Sequence, residues 1–371
     1  MKDNSKRIAW IDNAKMIAML FVILGHTWRI VHSPLPEWLN MFILVFNMPI
    51  FVILSGYTSY KSINSIFTIS DLLVYVEKIT KRMLVPSLVF SFIFRFIITL
   101  TINGSILNMM IVELIGLVYC FLFFLRDKLY CKKVLEVACW FAIPIALFKS
   151  DFWFFKMLWC VAVVVAISKW IIECKKIKTL KLLWVALISL PLALIMNYIH
   201  DKTADFILFF LIGICLYRFD FFYKFKSWLF IIMLIVVCSL LLSSLTIDVF
   251  NFWDYHPLWY INNNKVGIFF MRVLTSSLIS IVILLIIKKL SNKYNCFSEW
   301  GTYTLPMYMI HSLIITICYN MNYVYIFSND MTYMIYAIPM TCVITLLTMY
   351  LINISKKYQL TRAFVLGEKL F

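Results

Sequence analysis

The 371-residue sequence is poor in charged residues, glycine and proline. Only 14% of the residues are charged, and there are 8 glycines and 9 prolines, whereas 63% of the residues are hydrophobic and the mean hydropathy is +0.92. Soluble domains carry about 25% charged residues to meet water, so this composition excludes a soluble protein. The shortage of glycine and proline also excludes collagen-like and disordered chains. A polytopic membrane protein remains.

The ten cysteines include no Cys-x-x-Cys pair. Most of them lie inside apolar runs, where cysteine behaves as a small hydrophobic residue. This pattern excludes a disulfide scaffold and gives no metal-ligand spacing. We therefore expect no bound metal and no permanently bound cofactor.

Apolar runs of about 20 residues recur along the chain, as in membrane-spanning helices. They predict an all-α bundle of about ten to twelve spans in one integral membrane domain over residues 1–371. The predicted spans are 13–32, 38–59, 83–102, 106–125, 134–148, 152–172, 182–199, 204–221, 228–246, 266–287, 302–321 and 332–354. The run 134–148 is short for a span, so a re-entrant or interfacial segment is the alternative there.

The formal net charge of +16 is divided unevenly between the two sides of the predicted bundle. On one side, the connections between spans contain only four basic residues, Arg29, Lys149, Lys202 and Lys265. The basic residues of all other connections, of residues 1–7 and of the tail 355–371 fall on the other side. By the positive-inside rule, both termini are expected to be cytoplasmic. A nucleic-acid-binding protein would place this charge on one face of a soluble module, so no nucleic-acid partner is expected.

The first predicted helix carries three ionisable residues on one face. Lys15 and His26 are eleven positions apart, which is about 20° from overlap and about 16 Å along the axis. Asp12 lies three residues before Lys15, at the spacing of a neighbouring ion pair. Such residues are functional candidates because charge is costly in hydrocarbon. The alternative is an interfacial ion pair together with a histidine that bonds a neighbouring helix.

A basic segment precedes the third predicted span. Lys78 and Arg82 are four residues apart and would share a helical face, with Lys81 beside them. Two interpretations fit this pattern: a clamp for phosphate groups at the cytoplasmic surface, or ordinary anchoring to the head groups of membrane lipids.

Further polar residues enter the apolar runs. His311 is either a packed or an active histidine, and Arg95 is expected to pair with Glu113. The others are Lys156 and Arg272. Residues 246–265 form a long outer loop rich in aromatic and acidic residues, which suits either an interfacial belt or stacking on a sugar ring.

Several segments, in order along nearly the whole chain, resemble motifs of the membrane acyltransferase-3 family. They are Lys15-x10-His26, Phe46-Asn47-Met48-Pro49, Lys78-x3-Arg82, Phe152-Trp153-Phe154-Phe155, Phe209-Phe210-Leu211-Ile212-Gly213 and the segment from Tyr303 through Tyr308 to His311. The chain departs from the family at Asn47, where the family commonly has histidine, and in the longer interval 103–150.

The resemblance implies a stand-alone enzyme of the bacterial cytoplasmic membrane. It would transfer an acyl group, usually acetyl from cytoplasmic acetyl-CoA, to a hydroxyl of a cell-surface polysaccharide or lipid-linked glycan. His26 would act as general base or as acyl relay, while Asp12 and Lys15 would orient groups or balance charge. Lys78, Lys81 and Arg82 would hold the phosphates of CoA. Trp153, Arg272, Tyr308 and His311 are further candidates for substrate binding or structure.

A transporter or flippase of a lipid-linked sugar is the alternative function. In such a protein, the stripe of Asp12, Lys15 and His26 would relay protons or line a polar pathway. The low content of glycine and proline argues against this alternative, because transport helices are commonly broken at the midplane. The sequence does not identify the acceptor.

Overall fold

A computed structural model describes residues 8–27, 37–102, 152–177, 181–197, 202–225, 265–291, 297–320 and 330–357, together with 118, 229, 232–234, 236–239 and 263. These residues are almost entirely α-helical, and no strand occurs among them, which confirms the all-α class. Outside the described residues lie the predicted spans 106–125 and 134–148, much of 228–246, residues 1–7 and 358–371, Glu113 and nearly all of the outer loop 246–265.

The described helices are numbered here in chain order. They are α1 (Ala9–His26), α2 (Glu37–Asn64), α3 (Ile69–Ile102), α4 (Trp153–Cys174), α5 (Lys181–Met196), α6 (Thr203–Arg218), α7 (Phe221–Lys224), α8 (Val266–Ser291), α9 (Ser298–Gly301), α10 (Thr304–Asn320) and α11 (Asp330–Ser355). Within the described ranges, α1, α4, α8 and the part of α11 from Ile335 to Ser355 are long and apolar enough to cross a membrane. The chain is therefore a polytopic helical membrane protein.

Helix α1 begins and ends earlier than the predicted span 13–32. It covers Ala9–His26, with Asp12 in its first turn, where a carboxylate interacts favourably with the amino end of a helix. At the other end, the backbone N–H of Thr27 bonds the carbonyl oxygens of Ile23 and Leu24 at 3.1 and 3.2 Å. His26 therefore lies in the last turn of the helix, at its carbonyl end. The predicted span 13–32 had placed His26 inside the helix instead.

Helix α3 begins at Ile69, well before the predicted span 83–102, because Thr68 and Asp71 cap its first turn. The carboxylate of Asp71 accepts hydrogen bonds from the backbone N–H of Thr68 at 2.9 Å and of Phe67 at 3.1 Å. In return, the N–H of Asp71 donates to the Thr68 hydroxyl at 3.2 Å, which completes a capping box. The basic segment 78–82 is consequently part of this helix.

The described residues form two compact units, each assembled from distant parts of the chain. The first unit draws on 1–60, 208–304 and 326–342, and the second draws on 61–207, 305–325 and 343–371. In the first unit, α1 packs against α8 and α9. In the second unit, α4 packs against α3 and α5.

In the first unit, α2 and α6 approach each other through two glycines. A Cβ atom at Gly56 would overlap the backbone carbonyl of Phe210, and one at Gly213 would overlap the backbone of Ile53 and Tyr57. Each glycine thus admits the backbone of the opposite helix, which is the small-residue packing common between membrane helices. This close approach explains the glycine at the end of the Phe209–Gly213 motif.

Candidate functional site

The first candidate cluster is an ion pair in the early turns of α1. Lys15 Nζ lies 3.4 Å from Asp12 Oδ1, as the three-residue spacing predicted. Asp12 is buried and Lys15 is half-buried. The pair is therefore partly desolvated, which strengthens its electrostatic interaction relative to a surface pair.

Contacts made by Asn13 and by the backbone of Asp12 help to hold this end of α1 against α8 and α9. The Asn13 side-chain amide donates to Ser291 Oγ at the end of α8, at 2.8 Å. Gly301 of α9 lies against the backbone of Asp12, where a Cβ atom would overlap the carbonyl. The sequence predicted neither contact. Both depend on which helices pack together, and neither Asn13 nor Gly301 belongs to a motif that would show it.

His26 is half-buried in the last turn of α1. It shares a face with Lys15, and the helical rise separates the two residues by about 16 Å along the axis. Asp12 is farther away still, at about 21 Å along the axis, so it is too far to orient the imidazole directly. A positive charge that develops on the imidazole during a reaction is favoured at the carbonyl end of a helix.

The basic turn of α3 lies in the second unit, where the structure distinguishes between its three cations. Lys78 and Arg82 are exposed, and the four-residue spacing places them on one helical face, as predicted. Lys81 instead pairs with Glu77, with Nζ at 2.8 Å from Oε1. Lys78 and Arg82 are therefore more exposed to an anionic ligand than Lys81, which is half-buried.

Tyr308 and His311 lie together on α10 in the second unit. Their ring centroids are 5.5 Å apart, and the Tyr308 ring packs edge-on against Phe155 at 5.3 Å. His311 is buried, and its Nδ1 lies 2.9 Å from the carbonyl oxygen of Met307. A carbonyl only accepts, so Nδ1 carries the proton and, in the neutral ring, Nε2 holds the lone pair.

Trp153 and Arg272 both contact an aromatic or cationic neighbour. At the start of α4, in the second unit, the Trp153 ring has Lys202 Nζ 4.9 Å from its centroid and Phe206 6.2 Å away. In the first unit, Arg272 of α8 is buried, and its guanidinium carbon lies 5.3 Å from the centroid of Phe269. These geometries fit cation–π packing and assign neither residue to a substrate.

Asn47 occupies the position where the resembling family commonly has histidine. It is buried in α2, and its Oδ1 has no hydrogen-bond partner among the residues that the structure describes. An amide cannot act as a base, so the second histidine of that motif has no functional equivalent at this position.

Comparison with known proteins identifies one family. Residues 8–353 match the family model of acyltransferase 3, described as an acyltransferase domain. No curated protein and no solved structure matches the chain. The matched range includes every candidate residue named above.

Proposed function

Because this chain belongs to the acyltransferase-3 family of membrane acyltransferases, we propose that it transfers an acetyl group from cytoplasmic acetyl-CoA to a hydroxyl of a cell-surface polysaccharide or lipid-linked glycan. The observation that carries this proposal is the arrangement of α1. A half-buried histidine ends the helix, and a partly desolvated Asp12–Lys15 pair lies on the early turns, separated from it along the helix axis.

His26 is proposed as the group that contacts the reacting atoms. As a general base, its neutral imidazole takes the proton of the acceptor hydroxyl while that oxygen bonds to the thioester carbonyl carbon. The CoA thiolate leaves and takes up a proton. As a relay, an imidazole nitrogen first bonds the carbonyl carbon, and CoA leaves as the thiolate. The acceptor oxygen then bonds that carbon, the carbon–nitrogen bond breaks, and the departing imidazole takes the hydroxyl proton.

The remaining candidates have supporting roles in this proposal. Lys78 and Arg82 bind the phosphates of CoA through charge-assisted hydrogen bonds. Asp12 and Lys15 balance charge along α1, where an unpaired charge in a low-dielectric surrounding is costly. In a bacterium the protein resides in the cytoplasmic membrane, with the basic turn on the cytoplasmic side, as the positive-inside rule predicts.

The test is transfer of labelled acetyl groups in membranes that contain the full-length protein. Radiolabelled acetyl-CoA is supplied together with envelope polysaccharide extracted from a strain that lacks this gene. His26→Ala is expected to lower transfer by at least about a hundredfold, because general acid–base catalysis contributes that much or more. Protein abundance in the membrane should stay unchanged.

Gly25→Ala is the matched control, one residue away on the same helix. A Cβ atom at Gly25 meets only the Ile43 side chain, at an ordinary contact distance of 3.5 Å. This variant should transfer acetyl groups at the wild-type rate. Full activity in His26→Ala would overturn the role of His26, and wild-type membranes that consume no acetyl-CoA would overturn the function itself.

Mass spectrometry distinguishes the base from the relay. In the relay, a rapid acid quench of wild-type protein without acceptor should leave an acetylated peptide that contains residue 26. In the general-base reaction, this peptide stays unmodified under the same conditions.

A further inference from the structure

A hydrogen bond between distant residues connects α4 to the basic turn of α3 in the second unit. The indole Nε1–H of Trp159 donates to Thr80 Oγ1 at 2.9 Å, and both side chains are buried. The Thr80 hydroxyl donates its own proton to the carbonyl oxygen of Val76 at 2.8 Å. A lone pair of the Thr80 oxygen therefore accepts the hydrogen bond from Trp159. The direction of this bond is fixed, because an indole N–H can only donate.

This bond and two ring contacts on either side of it show that α3 and α4 are antiparallel. Before α3 begins, the Phe67 ring lies 5.4 Å from Lys169 Nζ, near the end of α4. Farther along α3, Phe94 packs against Phe152 at 6.3 Å, just before α4 starts. Both of these contacts involve rings and tolerate rotation, whereas the Trp159–Thr80 hydrogen bond is directional. It therefore fixes the rotation of α3 about its own axis.

Thr80 lies between the two exposed cations in sequence and opposite them on the helix. At 100° per residue, Lys78 and Arg82 are each about 160° from Thr80 and about 40° from each other. When Thr80 faces α4, both cations consequently point away from it. A rotation of α3 that broke the bond would move both cations together.

The backbone of α3 is weakened next to this turn. Pro86 lies inside the helix, and a proline has no N–H to bond the carbonyl four residues earlier, which belongs to Arg82. One of the intrahelical bonds that would hold the basic turn is therefore missing. A side-chain bond from a neighbouring helix compensates for this loss by fixing Thr80.

The geometry points to Trp159 and Thr80 as positioning residues for the acyl-donor site: their hydrogen bond orients Lys78 and Arg82 together toward the phosphates of CoA. This inference rests on the proposed function of Lys78 and Arg82. Neither Trp159 nor Thr80 touches the donor, and their effect on it is transmitted through the orientation of α3.

The experiment measures the dissociation constant of CoA for the purified full-length protein, together with kcat for acetyl transfer. Trp159→Phe keeps an aromatic ring and removes the donor, and Thr80→Val keeps the shape and removes the acceptor. Each variant is expected to weaken CoA binding by about three- to tenfold, because the free energy of one hydrogen bond no longer holds α3 in the orientation that binds CoA, while kcat at saturating donor stays at the wild-type value. The double variant should bind CoA no more weakly than the weaker single variant.

Three further variants separate positioning from packing. Thr80→Ser restores an acceptor and should restore CoA affinity. Trp184→Phe changes an exposed tryptophan of α5 and should leave CoA affinity unchanged. Ser168→Ala removes a buried hydroxyl of α4 that bonds only its own helix, to the carbonyl of Val164, and should also leave it unchanged. If Thr80→Val lowers thermal stability but binds CoA as tightly as Thr80→Ser does, the positioning role is overturned.

Arg82→Ala distinguishes failure of this inference from failure of the proposed donor site. If Arg82→Ala weakens CoA binding and Trp159→Phe and Thr80→Val do not, only the positioning role is wrong. If Arg82→Ala leaves CoA binding unchanged, the proposed donor site is wrong, and the positioning role is wrong with it.

Discussion

Gly301 packs directly on the backbone carbonyl of Asp12, so closely that a methyl group at this glycine would overlap the carbonyl oxygen, the carbonyl carbon and Cα of Asp12. The contact joins the short helix α9 to α1 beside the ion pair of Asp12 with Lys15. Because the opposing atoms belong to the backbone, no side-chain rotation relieves such an overlap. The position of the ion pair is therefore coupled to residue 301.

Gly301→Ala is expected to separate α9 from α1, at a cost of about 1–3 kcal/mol for overpacking. Thermal unfolding of the purified protein should show a lower midpoint, and acetyl transfer should fall because Asp12 shifts with the backbone. Gly267→Ala is the control, because nothing lies within 4 Å of a Cβ atom there. Equal midpoints for the two variants would contradict this coupling.

The three cations of the basic turn should contribute unequally to donor binding. Lys81 is already paired with Glu77, so Lys81→Ala is expected to raise the KM for acetyl-CoA less than Lys78→Ala does. Loss of a charge-assisted contact to phosphate at Lys78 should raise KM by about tenfold or more. Lys175→Ala, at an exposed cation after α4, should have no effect. A larger effect at Lys81 than at Lys78 would show that the ion pair opens when the donor binds.

Asp71 should stabilise the start of α3 throughout the neutral pH range. The N–H and the hydroxyl of Thr68 and the N–H of Phe67 hold the pKa of its carboxyl below the ordinary value. Since the folded pKa is depressed, this stabilisation is complete above the unfolded pKa of about 3.9 and is lost only as the pH falls through the folded pKa. Hydrogen-exchange protection of the first turn of α3, corrected for intrinsic rates, should be constant between about pH 5 and pH 8.

Asp71→Ala tests the same cap at neutral pH. The variant should lose protection at the amides of residues 67 and 68, which donate to the carboxylate in the wild type. Ser70→Ala changes an exposed neighbour and should keep that protection. A transition in the wild-type protein near neutral pH would mean that another group controls this turn.

The sequence predicted most of the described helices because apolar runs define them directly. The runs behind α4, α6 and α8 gave helices close to their observed bounds. The prediction from hydropathy was wrong at helix ends whose position is determined by local hydrogen bonds. Hydropathy alone did not place the start of α3, since the cap formed by Thr68 and Asp71 is polar and precedes the apolar run.

Contacts between residues that are far apart in the chain could not be predicted from the sequence. The Asp12–Lys15 pair was predictable because both residues lie on one helix with a known spacing. The bond from Trp159 to Thr80 joins residues 79 positions apart, and its existence depends on how α3 and α4 pack. A tryptophan among apolar residues gives no sign of which hydroxyl its N–H will reach.

The glycine contacts between α2 and α6 limit how this part of the protein moves. At Gly56 and Gly213, the backbone of each helix contacts the backbone of the other. No side chains lie between the two helices at these points, so the helices cannot slide past each other by changes of side-chain rotamer. These parts of α2 and α6 should therefore travel as one rigid body during turnover. Conformational changes that admit donor or acceptor must take place at helix contacts made by side chains, where repacking has a lower energetic barrier.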